Sequence, residues 1–98
     1  MYSAKFYQGM TEEEISKSAQ SEGFRPIQIY NSPGDIYPPH SHATTKLLAI
    51  LAGSMKARVG KKWFACTKFD KLVIPGNVEH EAIVGKVGCR FFWSEKLL

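Results

Sequence analysis

The sequence predicts a small all-β barrel or sandwich with one short helix at its N-terminal end. Three observations carry this. Short stretches of alternating or β-forming residues recur along most of the chain, and turn residues separate them. One stretch near the start has the chemistry of a capped helix. A chain of 98 residues has room for a single core. The expected organisation is one domain over 1–98, with a helical extension at 1–23 and a barrel at 24–95.

The helix is expected over 12–21. Thr11 can cap it, and Glu14 sits three residues on, which makes a capping box. Glu12, Glu13 and Glu14 occupy the first turn, where the helix dipole favours negative charge. Met10 and Ile15 are spaced for a hydrophobic staple. Gly23 is a natural stop. Only Ile15 and Ala19 are apolar within it, so the helix should lie on a surface rather than cross a core.

Strand chemistry follows. FRPIQIY (24–30) alternates, NSPGD (31–35) turns, and KLLAIL (46–51) reads as a buried strand. Ala52-Gly53-Ser54 reads as a tight turn, after which SMKARV (54–59) runs back. Alternation there places Met55, Ala57 and Val59 on one face and Lys56 and Arg58 on the other. KWFACT (62–67), KLVIP (71–75), EHEAIV (79–84) and CRFFWSE (89–95) complete seven or eight short strands, with a turn at Gly85–Gly88.

Composition narrows the function classes. Hydrophobic content of 44% and charged content of 22% are ordinary for a globular chain. The net charge is +4, but the basic residues are scattered and no nucleic-acid-binding motif accompanies them, so nucleic acid is not an expected partner. The longest apolar run, LLAILA, is too short to cross a bilayer. The N-terminus lacks a secretory signal pattern. Cys66 and Cys89 have no CxxC spacing and read as buried free thiols, which suits the cytoplasm. No Ser-His-Asp order or phosphate loop is present.

The chemistry concentrates in PGDIYPPHSHATTK, residues 33–46. Two of the chain's three histidines, His40 and His42, stand there one residue apart. On a strand such residues share a face, with Cα atoms about 7 Å apart. The same parity carries Thr44, Lys46, Leu48 and Ile50 onto that face, and the leucine and isoleucine mark it as the inner one. The third histidine, His80, opens a strand whose alternate residues, Ala82 and Val84, are small and apolar. All three imidazoles should therefore point into the barrel. Three neutral imidazoles suit a divalent transition metal, Zn, Fe, Ni or Cu, and Mn is a further candidate. The aromatics Trp63, Phe64, Phe91, Phe92 and Trp93 read as core or dimer packing, and Asp70 reads as a turn residue.

These residues resemble the cupin superfamily. Its first motif has a glycine, five residues, His-x-His, three or four residues, a glutamate, six residues and a glycine. Gly34, His40, His42, Lys46 and Gly53 keep that spacing. The second motif's Pro-to-His distance is kept by Pro75 and His80. Its opening glycine falls on Phe69, its inner glycine on Asn77 and its terminal asparagine on Val84. Asparagine tolerates the left-handed conformation that glycine supplies. The resemblance implies a double-stranded β-helix, or jelly-roll, barrel. It also implies His40, His42 and His80 as metal ligands.

Lys46 stands where the motif has its glutamate, normally a fourth ligand. A protonated lysine about 5 Å from a divalent ion costs roughly 6–7 kcal/mol at an effective dielectric of 20. It can curl away, be neutral, pair with a carboxylate of the chain or of a ligand, or act without any metal as a cation or nucleophile. It is the candidate catalytic residue. The expected pocket is lined by Lys46, Leu48, Ile50, Met55 and Ala82.

The expected function is binding of, or action on, a small and anionic molecule at a three-histidine metal site. As an enzyme, it would be a metal-dependent dioxygenase or isomerase. The alternatives are a non-catalytic small-ligand sensor and a metal-free relic pocket. Exposed edge strands, and aromatics on both faces of the last strand, favour a homodimer.

Overall fold

The computed structural model describes residues 1–96. In chain order the elements are β1 (Tyr2–Ser3), α1 (Glu12–Ser21), β2 (Ile27–Asn31), β3 (Ile36–His40), β4 (Lys46–Val59), β5 (Lys62–Thr67), β6 (Lys71–Ile74) and β7 (His80–Glu95). All pairings are antiparallel, in the order β1-β6-β4-β7-β2, with β3 also on β7 and β5 also on β4.

Two long strands organise everything. β4 and β7 pair along their lengths, from Lys46 opposite Glu95 to Val59 opposite His80. The expected reversals at Ala52–Ser54 and Gly85–Gly88 are bends inside these strands, not hairpins. The register shifts between Ile50 and Ala52 and between Gly53 and Met55. Extra residues at such shifts kink a strand and increase its twist. Gly53 has φ +80 and Gly88 has φ +82, and a Cβ on Gly53 would lie 2.1 Å from the Gly88 carbonyl oxygen. The two backbones therefore cross in contact where only glycine fits. SMKARV does not run back on KLLAIL. It continues β4 and pairs with β5 and the first half of β7.

The bends divide the sheet in two. In one part β6 and β2 flank the start of β4 and the end of β7; in the other, β5 and β3 flank the remaining halves. One core cluster takes Leu48, Ile50, Leu72 and Phe91 from the first part and Met55, Cys66, Ala82 and Val84 from the second. Cys66 and Cys89 are buried and free. Burial raises their thiols to about 12 and about 11, so neither is a ready nucleophile.

Helix α1 matches the expected span and carries the Thr11–Glu14 capping box. It explains why the run LLAILA is buried on both faces. Ile15 packs with Ala49 and Leu51, and Ala19 with Leu47, on the outside of β4. Glu12 pairs with Arg90 of β7 at 2.6 and 2.7 Å, and Glu22 with Lys71 of β6 at 2.7 and 2.8 Å.

Ahead of the helix, Tyr2–Ser3 pairs with Leu72 and Lys71. Two expectations change here. Asp70 is more than a turn residue. Its buried carboxylate accepts from the Tyr2 hydroxyl at 2.7 Å and from the Lys5 and Thr67 amides at 2.9 Å, which clasps the N-terminal arm to the barrel. Finally, the last strand's outer aromatic face is covered within the chain, since Phe92 packs against the Tyr7–Ile15–Ala49–Leu51 cluster.

Candidate metal centre and ligand cavity

The three histidines arrive from different local structures. His40 ends β3 and pairs directly with His80, the first residue of β7. Pro38 and Pro39 have no amide hydrogen to give the ladder, and the register shifts between Tyr37 and His40. His42 lies beyond the strand, in the 41–45 loop. The parity argument from His42 to Lys46 therefore does not apply, because no strand connects them.

The loop is held from the β6–β7 turn. The Asn77 amide donates to the His42 carbonyl at 2.6 Å. Asn77 has φ 64, the left-handed conformation expected at the motif's inner glycine. Gly76 lies against the loop so closely that a Cβ there would meet the Ala43 carbonyl oxygen at 2.5 Å.

Together these contacts bring the rings into a cluster. Centroids lie 4.3 Å apart for His40 and His80, 4.8 Å for His40 and His42, and 5.1 Å for His42 and His80. One nitrogen from each falls within 4.8 Å of the others, the spread of a set able to hold one ion.

The hydrogen bonds identify the lone pairs. His40 Nδ1 lies 2.6 Å from the Pro38 carbonyl, and His80 Nδ1 lies 3.0 Å from the Val78 carbonyl. A carbonyl only accepts, so both Nδ1 atoms carry the hydrogen and both Nε2 atoms present lone pairs. His80 Nε2 is buried without a partner. A buried acceptor left unpaired is costly, and a metal ion at that position would satisfy it. Carbonyl anchoring of the far ring nitrogen is the usual support of a ligating histidine. Burial, with the charge of Lys46, holds His42 and His80 below their ordinary range and so in the neutral, ligating form near pH 7. The donor set, three imidazoles, fits a transition metal with open coordination positions.

The cluster opens onto a cavity of about 230 Å³. Leu48, Met55 and Ala82 line it, with Ile74, Phe91 and Trp93. Phe91 and Trp93 thus do more than pack, since both form cavity wall. Alternation along CRFFWSE is the signal that separates them from Phe92. Tyr37 also lines it, but its hydroxyl donates to Asn31 at 2.5 Å. Ile50 sits in the core cluster and is not a lining residue.

Lys46 is not a lining residue either. It opens β4 opposite Glu95, with its Nζ 3.7 Å from the Glu95 carboxylate and 5.7 Å from the Trp93 ring centre. Of the possible resolutions, the one observed is an ion pair within the chain. Glu81 reaches the rim and is paired with Arg58, which also bonds Glu79 at 2.9 Å.

The sequence profile of the AraC-like ligand binding domain matches residues 27–95. No curated protein matches the chain in sequence. Several solved structures share its fold. A cupin superfamily protein from Desulfitobacterium hafniense superposes with TM-score 0.68 at 18% identity, over 82% of this chain and 72% of that one. The DMSP lyase of Ruegeria pomeroyi gives 0.68 at 18% identity, over 76% of this chain and 39% of that one. The Bacillus subtilis oxalate decarboxylase, which has Mn(II) centres, gives 0.66 at 18% identity, over 79% of this chain but 22% of that one. At such identities the likeness establishes the double-stranded β-helix fold.

Proposed function

The chain belongs to the AraC-like ligand-binding domain family, within the cupin superfamily, and from that premise we propose that it binds a small molecule at a divalent transition metal held by His40, His42 and His80. The observation that carries this is the buried, unpartnered Nε2 of His80, beside two more imidazoles. A metal there polarises a bound oxygen or nitrogen of the ligand. Glu81, the one carboxylate among the cavity's described lining residues, is paired with Arg58. No free general base stands at the cavity among its described lining residues other than the histidines themselves, which favours binding over proton-transfer catalysis.

Elemental analysis of untagged protein reconstituted with Fe, Mn, Ni, Zn and Cu tests the reading. About one ion per chain is expected, lost on changing any of the three histidines to alanine. Negligible occupancy with every metal would leave a relic pocket.

We also propose that the outer sheet face receives a second copy of the chain. Ile36, Ile83, Lys56 and Ala65 form one cross-strand row over β3, β7, β4 and β5. Ile36 is 66% exposed, Trp63 on the same face 50% and Ile83 40%. Arg58, Glu79 and Glu81 beside the row pair with one another, so no unpaired charge among them opposes a self-complementary two-fold contact. Sedimentation at micromolar concentration should show a dimer for the wild type and an 11.0 kDa species for Ile83→Lys. A monomeric wild type would end this proposal.

A further inference from the structure

We infer that the ligand is a small monocarboxylic acid with a compact apolar or aromatic body, its carboxylate at the cavity mouth between the histidine cluster and Lys46. This rests on the metal-held site proposed above and adds the chemical class of what enters it. The first observation is the wall. Leu48, Met55, Ile74, Ala82 and Phe91 give it no strong hydrogen-bonding group, and Trp93 adds only its indole N–H. The polar side chains that reach it away from the histidines are already engaged, Tyr37 with Asn31 and Glu81 with Arg58. A polyol placed here would bury hydroxyls without partners, which such a wall does not compensate. An apolar ring or branched chain loses nothing polar and gains contact with two aromatic faces.

The second observation is size. A cavity of about 230 Å³ falls below the ~300–1,000 Å³ that takes drug-sized ligands. One ring or a short branched chain fits that space.

The third observation is the mouth. Lys46 Nζ reaches Glu95 at 3.7 Å, an ion pair too long to be a hydrogen bond. Its side chain is 12% exposed, and no hydrogen bond to it is found among the described residues. It lies over Trp93, whose ring is 6.3 Å from that of His42. Lys46 does not line the cavity, but its loosely partnered ammonium stands behind Trp93, and a turn away from Glu95 would bring it to a carboxylate arriving beside the histidines. The proposed metal and Lys46 both lie at the histidine end, so an anionic head belongs there. No side chain free to bind an anion is on the opposite apolar wall among the described residues, so a second carboxylate on the far side of the ligand would carry its charge into that wall.

The test uses tryptophan emission. The chain has two tryptophans, and Trp63 lies on the outer sheet face, so Trp63→Phe leaves Trp93 in the cavity wall as the only reporter. Zinc-loaded Trp63→Phe protein is titrated with benzoate, cyclohexanecarboxylate, benzyl alcohol, terephthalate and glucuronate, with zinc content measured on the same sample. Benzoate and cyclohexanecarboxylate are expected to change the emission saturably, at least tenfold more tightly than the other three. Adding Lys46→Gln should weaken benzoate at least tenfold and leave benzyl alcohol unchanged, and Lys46→Arg should restore benzoate binding. Glucuronate or terephthalate binding as tightly as benzoate overturns the inference. So does an unaltered benzoate affinity in Lys46→Gln, or no benzoate binding by zinc-loaded protein. Failure to load any metal overturns the metal reading, and this inference with it. Zinc loading without benzoate binding overturns this inference alone.

Discussion

His40 and His80 are cross-strand partners at the point where β3 and β7 meet, with ring centroids 4.3 Å apart. Each is anchored through Nδ1 to a carbonyl of the residue two before it, so the two lone pairs converge. This arrangement separates a ligating role from a packing role. In metal-free protein, His40→Ala should change stability by no more than about 1 kcal/mol, as expected of a half-exposed side chain. In metal-loaded protein the same change should lower affinity by orders of magnitude and remove the rise in Tm that binding confers. Thermal melts with and without chelator measure both.

Lys46→Glu should tighten metal binding, because it replaces a repelled cation with the family's usual carboxylate. The Glu95 carboxylate 3.7 Å from the lysine adds a cost that the motif alone does not show. Without metal the variant sets two carboxylates side by side. Glu95 is 48% exposed, so that repulsion is screened to about 1 kcal/mol or less. Calorimetric titration should show stronger binding and melts a lower metal-free Tm. Unchanged affinity would mean that residue 46 does not face the ion.

Gly76→Ala should weaken metal binding without touching a ligand. Its new Cβ would meet the Ala43 carbonyl at 2.5 Å, so the 41–45 loop must move and carry His42 with it. A stability loss of about 1–3 kcal/mol is expected. Asn77→Gly is the control. It keeps the left-handed backbone at φ 64, so metal affinity should hold. Equal affinity in wild type and Gly76→Ala would show that the loop moves independently of His42.

The Asp70 clasp predicts a pH dependence. Burial alone would raise its carboxyl, but hydrogen bonds from Tyr2, Thr67 and Lys5 outweigh it and hold the group below 3.8. The folded value is therefore the lower one. The stabilisation is complete above the unfolded value and fades as pH falls through the folded one. Asp70→Asn should lose about 1–3 kcal/mol at pH 7, and its deficit against wild type should shrink below pH 3.8. Urea unfolding at pH 7, 5 and 3 checks this. A deficit that stays constant over that range would mean that the charge contributes nothing.

The histidine spacing, the capped helix and the alternation in β4 and β7 were legible because each depends on residues close in the chain. Thr11 caps Glu14 whatever the barrel does. Met55 and Ala57 face inward because neighbours on a strand alternate. Reading the glycines as reversals failed for a physical reason. A left-handed Gly53 suits a hairpin or a bulge equally, and only its contact with Gly88 selects the bulge. Phe91 and Phe92 showed the same limit, since alternation separates their faces without saying what covers each.

Local chemistry thus determined the helix, the strand-rich barrel and the identity of the three imidazoles. Tertiary structure decided where Lys46 turns, what covers Phe92 and how His42 reaches the others from a loop. Those outcomes depend on Glu95, on Ile15 and Tyr7, and on Gly76 and Asn77. These partners lie tens of residues away in sequence and become neighbours only when β4 and β7 bend across one another. A contact energy between distant residues leaves no mark in either local stretch.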